Sequence, residues 1–141
     1  MNNIVFLLLR EMPLIVLSLL FLIISVILYI AFYVYMNIYI KNISKIIFND
    51  ENKYRRPLEP FSFIVLSYLP TTFWREILNI KYGKSFKKLY GKEFYHSINR
   101  NQLIELMKNY KAYFLFQYII FFLVAFALIF MTVAYILDKY F

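Results

Sequence analysis

Two short motifs in this 141-residue chain resemble catalytic or ligand-binding signatures, and both fail on what surrounds them. Gly83-Lys84-Ser85 has the ending of a phosphate-binding P-loop, whose backbone amides cradle phosphates while its lysine reaches their oxygens. The complete motif needs an earlier glycine where this chain has Leu78, and a preceding strand where this stretch reads as helix. The likeness is accidental. Glu93 and His96 form a Glu-x-x-His step, which sets a carboxylate and an imidazole on one helical face. A di-iron bundle needs two such steps and two further carboxylates, and His96 is the sole histidine. The pair therefore reads as a surface pair at a lipid interface.

Other chemistry is limited by composition. The chain has no cysteine, which removes thiol nucleophiles, thiolate metal sites and disulfides. The polar residues inside its apolar stretches are Ser18, Ser25, Asn37, Gln117 and Thr132, with no acid or base among them. Intramembrane catalysis, transport and proton relay call for an ionisable group at depth. No catalytic, metal or cofactor-binding residue is therefore assigned, and the chain is not expected to be an enzyme. Asn42-Ile43-Ser44 matches a glycosylation acceptor, but it falls at the expected cytoplasmic boundary and should be unmodified.

The elements that would position any site are dominated by two uncharged apolar runs, residues 13–40 and 112–137. Each exceeds the roughly 20 residues needed to cross the hydrocarbon core. Backbone polar groups in hydrocarbon are satisfied only within a helix or a closed barrel. Continuous apolarity without two-residue alternation selects the helix. The first run is too long for a signal core and has no small-residue cleavage site after it, so it should persist as a span.

Orientation follows from the positive charge. Of the 16 Lys and Arg residues, Arg10 precedes the first run and Lys139 follows the second; the remaining 14 lie between them. The positive-inside bias then makes residues 41–111 cytoplasmic, with both termini outside. Tyr33, Tyr35 and Tyr39 end the first run, and Tyr110, Tyr113 and Tyr118 begin the second. Both sets suit the headgroup level, where amphipathic rings are stable.

Between the spans, residues 41–48 keep a helical apolar spacing that extends the first helix, and residues 49–52 read as a turn. Residues 61–69 are apolar but would be only about 14 Å long as a helix. Stretch 61–74 is expected to be interfacial or re-entrant, broken at Pro70. Thr71 or Thr72 could cap a new helix there, with Gly83 ending it. Phe73, Trp74, Ile77 and Leu78 would form a membrane-docking face, assisted by Lys84, Lys87, Lys88 and Lys92 against the anionic cytoplasmic leaflet. Asn99 and Gln102 resemble a capping box, opening one long helix that runs into the second span.

The expected fold is an all-α membrane protein: a single polytopic domain, with two transmembrane helices in an antiparallel hairpin and a basic amphipathic helical region between them. Asn37 and Gln117 are expected to meet across the hairpin. Ser18 with Ser25, and Ala127 with Ala134, supply small-residue packing stripes. With no catalytic set, binding is the expected activity, and the partners are membrane lipid and another integral membrane protein or a second copy. Nucleic acid is not expected, because no binding motif accompanies the charge. The role that follows is an accessory subunit of a secretion, conjugation or transport assembly in the inner membrane. The alternatives are an immunity or exclusion protein and a holin-like lesion former.

Overall fold

In a computed structural model, residues 12–83 and 98–140 are described. Five helices occur among them, with no strand: α1 Pro13–Phe48, α2 Pro60–Thr72, α3 Trp74–Tyr82, α4 Arg100–Asn109 and α5 Lys111–Tyr140. Helices α1 and α5 are each long and apolar enough to cross a membrane. Lys84, Lys87, Lys88, Lys92, Glu93 and His96 lie outside the described residues.

The chain divides into two compact units, 1–31 with 119–141, and 32–118. In the first, the opening half of α1 packs against the closing half of α5 through small and aromatic side chains. Ser18 is fully buried and its hydroxyl donates to the carbonyl of Ala127, also fully buried, at 2.8 Å. Phe21 stacks on Phe130 with ring centroids 5.7 Å apart and tilts against Phe126. Most other side chains here face outward, including Ile23, Val26 and Ile27 on α1 and Phe122, Leu128 and Ile129 on α5.

The second unit holds the core. Phe32, Met36, Ile40, Ile43 and Ile47 are buried at spacings of three or four residues, so one stripe of α1 faces inward. Phe32 stacks on Phe116, edges onto Phe63 and tilts against Tyr113. Tyr39 meets Tyr110 edge-on at 5.7 Å. Asn49 ends α1 in the left-handed region at φ 57, a conformation its short polar side chain tolerates. The Asp50 carboxylate accepts from the Asn52 amide, closing the turn.

Two expected helix boundaries are corrected. Pro70 does not break the chain: α2 continues through it to Thr72, and Thr71 and Thr72 form its last turn rather than a cap. The Thr72 hydroxyl donates back to the Leu69 carbonyl, and the junction falls at Phe73. The helix opened by Asn99 also does not run unbroken into α5. It stops at Tyr110, whose φ of −126 and ψ of 50 leave the helical region. The Asn99–Gln102 capping box itself forms, with both reciprocal bonds at 2.8 Å. Gly83 ends α3 at φ 64, its amide returning to the Asn79 carbonyl.

Candidate functional site

The most elaborated part of the second unit is the seat of α2, where α1 and α5 hold a short helix by polar contacts set into an aromatic core. On the α1 side, the Asn37 carboxamide bridges two backbones. Its Nδ2 donates to the Tyr33 carbonyl at 2.9 Å, and its Oδ1 accepts from the Leu58 amide at 2.8 Å. The Tyr33 hydroxyl donates to the Leu58 carbonyl at 2.9 Å, so both polar groups of that peptide unit's residue are bound by α1. Arg56 donates to the Ile38 carbonyl just ahead of it. Leu58 is consequently buried at 2% exposure, and Pro60 begins α2 where a missing N–H costs nothing.

On the α5 side, two tyrosines address the defect that Pro70 creates. A residue at position 70 would normally donate its N–H to the Leu66 carbonyl, and proline has none. The Tyr113 hydroxyl donates to that same carbonyl at 2.6 Å, with the tyrosine fully buried. Five residues further along α5, the Tyr118 hydroxyl donates to the Pro70 carbonyl at 2.8 Å. The mid-helix proline is thus tolerated because a neighbouring helix supplies the donor it lacks. Phe63, Leu66, Ser67 and Pro70 form the buried face of α2, and Phe63 meets both Phe32 and Tyr33 edge-on.

These contacts correct the expected pairing of Asn37 with Gln117. Asn37 spends both ends of its amide on Tyr33 and Leu58. Gln117 is 4% exposed, and its Oε1 is buried without a hydrogen-bond partner. A backbone amide in an extended connector satisfies Asn37 without requiring a second side chain to be ordered, and it wins on that ground.

The expected membrane-docking face is also redistributed. Phe73 is 1% exposed and Ile77 8%, so both pack inside the protein, whereas Leu78 is half-buried and Trp74 is half-exposed. The amphipathic pattern of α3 is real, but its apolar stripe is met by protein, since α3 packs on α2 and α4. Of the small residues, Ser18 and Ala127 meet directly. Ser25 donates to the Leu22 carbonyl of its own helix, and the half-buried Ala134 lines a cavity of about 470 Å3 with Pro13, Tyr135 and Asp138.

Outside the apolar runs, the loop after α1 is anchored by rings. Lys53 lies over the Phe48 ring at 3.6 Å, and Tyr54 meets the same ring edge-on. Burial pushes the Tyr54 hydroxyl pKa up, so the phenol stays neutral through the physiological range. None of these groups forms a nucleophile–base pair, and the arrangement is suited to holding a helix in place. Sequence reasoning missed Tyr113 and Tyr118 as structural donors. The available signal was a proline in an apolar, helix-length segment within a tyrosine-rich chain. No protein-family model matches the chain, nor does any curated protein or solved structure.

Proposed function

We propose that the chain is a two-pass, non-enzymatic protein of the inner membrane that works by contact with another integral membrane protein. In this reading residues 13–40 and 112–137 cross as an antiparallel hairpin. Both termini lie outside, and the basic central region is cytoplasmic against the anionic leaflet. The role is that of an accessory subunit of a secretion, conjugation or transport assembly.

One observation carries the proposal. The most apolar 18-residue window of each long helix is only 11% buried. The core helix of a water-soluble protein has its apolar surface covered by protein. Here Leu20, Ile27, Ile30, Phe122 and Leu128 are all more than half exposed, which suits lipid or the helices of a partner. The 14 basic residues between the runs support the orientation. The α2 seat supports a binding role, since it fixes a helix firmly and offers no reactive group.

Photo-crosslinking in living cells tests this reading. A photoreactive residue placed at Ile27 or Phe122 should give one discrete adduct with a different membrane protein. A ladder of self-adducts, joined to loss of membrane potential on expression alone, would favour a lesion former. Lipid adducts alone would remove the partner.

A further inference from the structure

Helix α2 has an apolar surface on the side that the protein does not cover. Phe61 is 77% exposed and Tyr68 55%, and Ile64 and Val65 lie between them at 44% and 46%. No Lys, Arg, Asp or Glu occurs from Pro60 to Trp74. A helix bathed by water on one side carries charged and polar residues there. The exposed side of α2 has no charge, and its polar groups are confined to Ser62 and the hydroxyls of Tyr68 and Thr72, the last bound to the Leu69 carbonyl.

We propose that α2 is immersed in the acyl-chain region of the cytoplasmic leaflet, with Phe61, Ile64, Val65 and Tyr68 covered by lipid. The proposal rests on the reading that α1 and α5 span the membrane, and it adds a third, partial helix to that layer.

Three observations converge on it. The first is position. Leu58 is bound beside Asn37 and Tyr33, Phe63 packs on Phe32, Leu66 is bound by Tyr113, and Pro70 by Tyr118. Every one of those α1 and α5 positions falls within the apolar runs 13–40 and 112–137. As α2 advances, its partners move backward along α1 and forward along α5, so it enters beside both. Tyr118 is seven residues beyond Lys111, about 10 Å along the helix. At 13 residues α2 is about 20 Å long, short of a full crossing. The chain then turns at Phe73 into α3, which packs on α4, the helix that leads up to Lys111.

The second observation is how polar groups are satisfied. The Ser67 hydroxyl donates to the Ile64 carbonyl at 2.8 Å and the Thr72 hydroxyl to the Leu69 carbonyl at 2.7 Å. The Leu66 and Pro70 carbonyls are bound by tyrosines. Such internal pairing is what a helix needs where water is absent. Thr71 Oγ1 is the exception, buried without a partner. The third is continuity. In the same unit Val34 and Ile38 on α1 and Leu115 on α5 are also exposed and apolar. Arg55 precedes α2, where its head can reach the headgroups while its stem lies along apolar surface, and the neighbouring Arg56 is held by the Ile38 carbonyl.

The absence of cysteine makes a clean test possible. Val65→Cys, Phe122→Cys and Glu51→Cys, each in the full chain and labelled with bimane, are reconstituted in vesicles of phosphatidylcholine and phosphatidylglycerol. Quenching is compared between lipids carrying a nitroxide on the acyl chain and aqueous iodide. The expected result is that the Val65 label behaves like the Phe122 label, quenched by lipid and shielded from iodide, while the Glu51 label is quenched by iodide. If the Val65 label follows Glu51 while Phe122 remains lipid-quenched, α2 lies in water and the proposal is overturned with the spans intact. If Val65 is quenched by neither, protein covers that face and the proposal is likewise overturned. If Phe122 also escapes the lipid quencher, the membrane reading itself falls.

Discussion

Tyr113→Phe removes one hydroxyl and leaves the ring, and its effect depends on the identity of residue 70. In the native chain the Tyr113 hydroxyl is the donor that reaches the Leu66 carbonyl, because Pro70 cannot provide one. Both partners are buried, so deleting the hydroxyl strands an acceptor, at a cost of about 1–3 kcal/mol. Pro70→Ala restores an N–H at position 70 and returns the intrahelical bond to Leu66. In that background Tyr113→Phe should cost only a few tenths of a kcal/mol. The double-mutant cycle therefore predicts a coupling of about 1–2 kcal/mol between residues 43 apart in sequence. Trp74, the only tryptophan and half-exposed at the α2–α3 junction, reports α2 directly. Unfolding in mixed micelles, followed by its fluorescence, measures all four variants. Equal costs of Tyr113→Phe in the two backgrounds would refute the idea that the tyrosine repairs the proline.

Two other substitutions probe the remaining contacts. Asn37→Ala strands the Leu58 amide and should cost about 1–2 kcal/mol. Combined with Gln117→Ala, the effects should add within about 0.5 kcal/mol; coupling larger than that would restore the direct pairing that the structure lacks. Gly83→Ala meets open space but forces a Cβ into the left-handed region at φ 64. It should cost about 1 kcal/mol, and Gly83→Asn less, in the same unfolding assay. A neutral Gly83→Ala would mean that α3 does not end there in solution.

The parts of this fold that were legible in the sequence are those set by local composition. Long uncharged apolarity gives the two long helices, the Asn99–Gln102 spacing gives a cap, and Gly83 gives a stop. What escaped was decided at long range. Pro70 reads as a break because the donor that rescues Leu66 comes from Tyr113, on another helix. The apolar stripe of Phe73 and Ile77 looks the same in sequence whether lipid or protein covers it; α2 and α4 happen to lie against α3. Asn37 reads as a partner for Gln117 across the hairpin, but the group it binds is the Leu58 backbone, which carries no sequence signal at all.

The central claim, that a helical pair crosses the bilayer with its basic middle inside, is tested most directly by labelling single cysteines in intact cells with a membrane-impermeant maleimide. Lys139→Cys should label without permeabilisation, and Glu51→Cys only after it. Labelling of Glu51→Cys in intact cells, or recovery of the full chain from the soluble fraction without detergent, would contradict the account.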